Sequence, residues 1–245
     1  MTGPTLDVTV QKQIDMCLLD SDRLKSEFIA TASHELRTPL AVIQGYAELL
    51  LSDAELGAAR QREFLEVIYN KSLALEKIVD DLLDVSRVAN GQIICLDFDK
   101  CNIIADIRQV VAHFQQQASK HRFSLQLPEE EFCLSVDQGK IIQVLENLLG
   151  NAVKFSPQGS EVSVQAEWTD DSLRVMVEDF GVGIAPEHQE HIFDKFYRVD
   201  ATDTAARGLG IGLYLVKKII EAHRGKVWVE SALSRGTTFF FALPR

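Results

Sequence analysis

Cysteine is scarce in this chain: Cys17, Cys95, Cys101 and Cys133 are its only four in 245 residues, and none form a CxxC pair or fall at histidine spacing. The usual zinc and redox motifs are thereby excluded, leaving the expectation of buried free thiols in a reducing compartment. Long hydrophobic runs are also missing, and the first residues lack the basic-then-apolar order of a signal peptide. A soluble, cytoplasmic chain without a membrane segment of its own is the expectation. Basic residues are in deficit, 25 Lys and Arg against 36 Asp and Glu, for a formal net charge of −11. That balance speaks against a nucleic-acid surface, though a local basic patch around a nucleotide fits inside it. There is no internal repeat and no low-complexity tract. What is there is an ordinary globular composition, 46% hydrophobic and 25% charged, in a chain long enough for two compact units.

The stretch Phe28 to Leu40, FIATASHELRTPL, sets a histidine beside an acid on a helix. Leu36, Leu40, Ile43 and Ala47 recur at helical spacing, and His34 falls about 150° away from their mean direction, so it points outward. Thr38 follows one turn later on the same side, and Pro39 removes a backbone donor and is expected to kink the helix.

Residues 1 to 20 read as a connector, either a frayed tail or a signalling helix. One amphipathic helix is expected over 21–52, a polar break at Ser52, Asp53 and Gly57, and a second helix from about Arg60 to Val88. The second stripe runs through Phe64, Leu65, Ile68, Leu75, Val79, Leu82 and Leu83. Two long helices joined by a short turn form a hairpin whose apolar faces exceed what the pair covers. Two hairpins in a four-helix bundle would bury both stripes and make a homodimer; the other solution is a monomeric hairpin packed on the domain that follows. Asn90 and Gly91 end the second helix. We read 91–96 as a hinge and 97–245 as an α/β domain, in which fragments such as Phe123 to Leu127 and Val162 to Trp168 alternate with helices.

Phosphate chemistry concentrates in that second half. Asp137 opens a helix with Ile141, Leu145, Leu148 and Leu149 on its apolar face, and Asn147, Asn151 and Lys154 on the other side. Such amides supply oxygen ligands for a magnesium ion carrying phosphates, and the ammonium meets phosphates directly. A strand over Leu173 to Glu178 ends in Asp179-Phe180-Gly181-Val182-Gly183-Ile184. A carboxylate there suits the exocyclic amine of adenine, with glycines that admit backbone close to the ring. Lys195 and Arg198 are candidate phosphate contacts, and the small polar segment Ala201 to Arg207 suits a mobile lid. Gly208-Leu209-Gly210-Ile211-Gly212-Leu213 opens a helix whose free amides cradle phosphate oxygens. Two strands, Lys226 to Glu230 and Thr237 to Leu243, close the chain.

These motifs together resemble the sensor histidine kinases of two-component signalling. His34 to Leu40, with Phe28 and Ser33 before it, looks like their phosphoacceptor box. Asn147 to Lys154 resembles the asparagine box, in which the second asparagine holds the metal; Asp179 to Ile184 the first glycine box; Ile192 to Asp200 the phenylalanine box; and Gly208 to Leu213 the second glycine box. The resemblance covers 21–245. Leu209 stands where threonine or serine is usual, removing one hydroxyl contact to phosphate, and Phe155 stands where tyrosine is common, preserving packing on adenine. The family implies a dimeric hairpin domain over 21–90 and an α/β sandwich of the Bergerat ATP-binding type over 97–245. It implies ATP and Mg2+ as cofactors, His34 as acceptor with Glu35 taking a proton, Thr38 serving dephosphorylation, and a response-regulator receiver domain as partner. A sensor or membrane part would lie elsewhere in a full-length protein. A nucleotide-binding scaffold without turnover is the competing reading; His34, Asn151 and Asp179, all present, weigh against it.

Overall fold

A computed structural model of the chain describes residues 5–52, 57–89, 94–118, 120–129, 133–199 and 209–245, with side chains of the first helix described from Phe28. The chain falls into two compact units, the first reaching Leu82 and including Gly208–Gly210, the second made of Leu83–Arg207 and Ile211–Arg245.

The first unit is helical. α1 (Thr5–Ser52) is a single helix of 48 residues, and residues 5–20 are helical within it. Pro39 lies within it, and the helix continues on both sides of that residue. α2 (Ala58–Ala89) is the second arm of the hairpin, and Tyr46 meets Phe64 edge-on across it with ring centroids 5.0 Å apart. The expected stripe of α2 divides in two. Phe64, Ile68, Leu75 and Leu82 are half-buried, whereas Leu65, Val79 and Leu83 are exposed, along with Tyr69 and Leu73.

The second unit is a two-layer sandwich. Its sheet has the order β2 (Arg122–Gln126), β4 (Glu161–Trp168), β5 (Ser172–Asp179), β7 (Gly236–Pro244), β6 (Lys226–Ala232), with β2 parallel to β4 and all other neighbours antiparallel. A two-stranded ladder, β1 (Asp99–Cys101) with β3 (Leu134–Val136), stands apart. One sheet face buries Val162, Val164, Leu173, Val175, Val177, Phe239, Phe241 and Leu243. Three helices, α3 (Ile103–Gln117), α4 (Gln138–Phe155) and α6 (Gly212–Ala222), pack there through Ile103, Ile107, Ile141, Leu145, Leu148, Leu215 and Ile219. Each such side chain contributes about 1.5–3 kcal/mol by leaving water.

The caps follow from composition. Asn102 starts α3 by accepting from Ala105 N–H at 3.1 Å, and Asp137 starts α4 by accepting from Lys140 N–H at 3.0 Å, each worth about 1 kcal/mol. The last two turns of α2, from Leu83, belong to the second unit, where the buried carboxylate of Asp84 receives Lys140 Nζ at 2.5 Å. The Cys17 side chain lies outside the described residues; Cys101 is buried as expected, but Cys95 and Cys133 are exposed, which corrects the expectation of buried thiols at those two positions. Both lie in connecting segments outside the strands, where no core is available to cover them. The expected hinge is described only from Ile94, a buried residue; 90–93 and the expected lid, 201–207, lie outside the described residues.

Candidate functional site: an acceptor histidine and a nucleotide pocket

His34 is exposed on α1 and Glu35 beside it is half-buried. Thr38 is exposed too, and its hydroxyl donates to the His34 carbonyl at 3.1 Å. That back-bond occupies the hydroxyl proton and leaves the oxygen lone pairs for a water.

In the second unit, Asp179 is the last residue of β5, the central strand, and 4% exposed. Burial pushes its carboxyl above the ordinary carboxylate range, against the opposing pull of the Gly181 and Thr237 amides. Gly181 N–H donates to Asp179 Oδ1 at 2.8 Å. A Cβ on Gly181 would come within 2.3 Å of the Phe155 carbonyl oxygen, and one on Gly183, at φ 71°, within 2.0 Å of the Ala232 carbonyl oxygen. The loop from Asp179 to Ile184 therefore lies on the end of α4 and on the β6–β7 turn with no space for side chains at those two positions. Ser231 ties the same junction: its hydroxyl accepts from Ile184 N–H and donates to the Gly236 carbonyl, both at 2.8 Å.

Other expected residues lie on α4, among them Asn147, Asn151, Lys154 and Phe155, and at the start of α6. Phe155, 40% exposed, carries Lys154 Nζ at 4.8 Å from its ring centroid. Asn151 is half-buried. Asn147 is turned inward, donating its amide to the Gln143 carbonyl at 2.9 Å, with its Oδ1 2.8 Å from where a Gly212 Cβ would stand. It packs helix against helix there. Gly210 has a left-handed φ of 66°, and α6 starts at buried Ile211 with no side-chain cap, so the first amides, including Gly212 and Leu213, remain available to an anion. Leu209 is half-buried, and Gly208 lies outside the described residues. Lys195 Nζ sits 4.5 Å from the Phe196 ring centroid, and Arg198 is half-buried nearby in sequence. Among the described residues no cluster of three or more His, Cys, Asp and Glu could hold a metal ion.

Two family models match the chain in tandem. Residues 24–91 match the His Kinase A (phospho-acceptor) domain, and residues 136–245 match the histidine kinase-, DNA gyrase B- and HSP90-like ATPase. The chain belongs to the sensor histidine kinases. Sensor histidine kinase WalK of Bacillus subtilis is 34% identical over 244 residues, covering 97% of this chain and 38% of WalK. Sensor protein SrrB of Staphylococcus aureus is 34% identical over 229 residues, covering 91% of this chain and 39% of SrrB. The chain thus spans about two fifths of the length of these relatives. Among solved structures, full-length ShkA in complex with AMPPNP shares 31% identity at a TM-score of 0.63, covering 88% of this chain and 45% of that one. Histidine kinase ThkA in complex with response regulator TrrA shares 25% identity at a TM-score of 0.60, covering 96% and 66%.

Four side chains that the sequence motifs do not single out also shape the second unit. Ser231 and His223 hold loops and helix ends, and His188 and His191 contact the phenylalanine box. Only the two histidines left a sequence signal, their three-residue spacing just before Ile192.

Proposed function

We propose that this chain is the phosphotransfer portion of a sensor histidine kinase, which uses Mg-ATP to phosphorylate His34 and passes the phosphoryl group to an aspartate on a response-regulator receiver domain. The buried Asp179 carboxylate, walled by glycines and carried by the same chain as an exposed acceptor histidine, is the observation that supports it most. Asp179 would accept from the adenine amine, Phe155 would pack on the ring, and the uncapped start of α6 would receive phosphate oxygens. Lys154, Lys195 and Arg198 would offset phosphate charge. Magnesium would be held by Asn151, with Asn147 Oδ1 as a second candidate oxygen, and would supply charge neutralisation at the phosphates.

Glu35 would take the Nδ1 proton of His34, leaving the Nε2 lone pair to form the bond to phosphorus as the bond to the ADP oxygen breaks. The acceptor belongs to the same subunit or to its dimer partner, and the 91–96 stretch serves as hinge between a 21–90 hairpin domain and a 97–245 ATP-binding domain. Thr38 would orient a water for regulator dephosphorylation. A cytoplasmic place for this portion fits the absence, among the described residues, of a helix long and apolar enough to cross a membrane. A sensor or membrane part would belong to the remainder of the protein.

The deciding experiment is incubation with γ-labelled ATP followed by acid treatment. Acid-labile label on the wild type and none on His34→Gln, with nucleotide affinity retained, is the expected result. Undiminished acid-labile label on His34→Gln would overturn the assignment.

A further inference from the structure

The turn that carries Lys195 is strained. Tyr197 N–H closes it on the Asp194 carbonyl at 3.2 Å, so Lys195 and Phe196 are its central residues, and Phe196 adopts φ 68°. Glycine or asparagine is favoured at that place, and a bulky L-residue stays there only when its surroundings hold it.

Two histidines brace the two ends of the turn. α5 (Pro186–Gln189) presents His188, whose Nδ1 lies 2.7 Å from the Tyr197 hydroxyl at the end of the turn. His191, just beyond α5, places its Nδ1 2.9 Å from Asp194 Oδ2 at the start. Both imidazoles lie against the phenol ring, with centroids 6.1 and 5.6 Å from it. Burial, reinforced by the nearby Asp194 and Glu187 carboxylates, pushes the Tyr197 phenol up, so its O–H persists as a donor. The chain leading into the turn is anchored in the core, where Phe193 meets Phe239 edge-on at 6.3 Å. One short segment therefore holds both ends of the turn, and the turn places Lys195 on one side of Phe196 and Arg198 just past Tyr197.

We propose that His188, through its hydrogen bond to Tyr197, is a positioning residue that keeps the Asp194–Tyr197 turn in its left-handed form and thereby directs Lys195 and Arg198 to the terminal phosphate of ATP. This rests on the nucleotide-binding reading above. Once the bond is lost, Phe196 relaxes toward negative φ, which reorients the peptides on either side and with them the two cations. ADP lacks the phosphate those cations serve, so the loss weakens ATP and spares ADP.

Calorimetric titration of the whole chain with Mg-ADP and with a magnesium complex of a non-hydrolysable ATP analogue tests this. Four proteins are compared: wild type, Tyr197→Phe, His188→Leu, and His188→Asn, which keeps an amide near the place of Nδ1. Binding of the ATP analogue is expected to weaken about five- to tenfold in Tyr197→Phe and His188→Leu, the effect of one lost hydrogen bond, with ADP within about twofold of wild type. His188→Asn recovers most of the loss, and thermal midpoints stay together. A parallel fall for both nucleotides, or no fall in Tyr197→Phe, overturns the positioning role while leaving the nucleotide pocket intact. A wild type that binds neither nucleotide overturns the pocket itself and the positioning role with it.

Discussion

His223 and Asp137, 86 residues apart, are joined by a hydrogen bond in which the Asp137 backbone N–H donates to His223 Nε2 at 3.0 Å. Because Nε2 accepts, the proton of the neutral ring sits on Nδ1, which donates to the Ile219 carbonyl at 2.8 Å. His223 is 4% exposed and caps the C-terminus of α6, while Asp137 caps the N-terminus of α4. Asn147 and Gly212 meet where α6 begins. The two helices that bear most of the expected nucleotide contacts are thus tied by a hydrogen bond at one end and by close approach, with no room for a side chain at Gly212, toward the other.

Replacing His223 by leucine should leave the Asp137 amide without its acceptor and cost about 1–3 kcal/mol. Chemical denaturation would read this as a lower midpoint with an unchanged slope. Nucleotide affinity should fall only modestly, since no contact atom is removed. A variant as stable as wild type would show that water replaces the imidazole.

Asp179 links stability to pH with a sign that can be stated. Its carboxyl is raised above the ordinary 3.8 chiefly by burial, so the native state holds the proton more tightly than the unfolded chain. The group's stabilising contribution is present at low pH and is lost as pH rises from about 3.8 through the raised value. At pH 7 the buried carboxylate is a cost that Asp179→Asn relieves, offset by weaker acceptance from the Gly181 and Thr237 amides. We expect a cooperative thermal transition near that of wild type, together with loss of ADP binding, because an amide nitrogen would face the adenine amine. Normal ADP binding by this variant, measured calorimetrically, would remove the adenine role.

Thr38 donates to the His34 carbonyl one turn back, ahead of a proline that cannot donate at all. Thr38→Ala should keep autophosphorylation within a few-fold and slow regulator dephosphorylation much more, and Thr38→Ser should restore it. Rates of both reactions on one preparation decide the matter: a parallel fall points to helix geometry alone.

Leu65, Tyr69 and Leu73 lie four residues apart on α2 and are 55%, 63% and 45% exposed. Such a stripe calls for a second hairpin. Leu65→Glu with Leu73→Glu should convert a sedimenting dimer to monomer while helical circular dichroism persists. A wild-type chain that is monomeric at micromolar concentration would defeat this argument.

The amino-acid sequence alone determined the order of a helical hairpin and an α/β unit, because periodicity, caps and turn residues act over one or two turns of chain. Asp137 is legible as a cap from its neighbours, and so is the strand that ends at Asp179. The same local logic placed His34 on an exposed face. Tertiary structure alone decided which apolar residues of α2 face α1 and which stay exposed, since a single stripe contains both sets. It also decided that Asn147 turns inward to Gln143 and Gly212. His223 and His188 could not be assigned from sequence, because their partners, Asp137 and Tyr197, are brought to them by the packing of α6 on α4 and by the closing of a turn. A hydrogen bond leaves no periodic trace along the chain; only the fold brings donor and acceptor together.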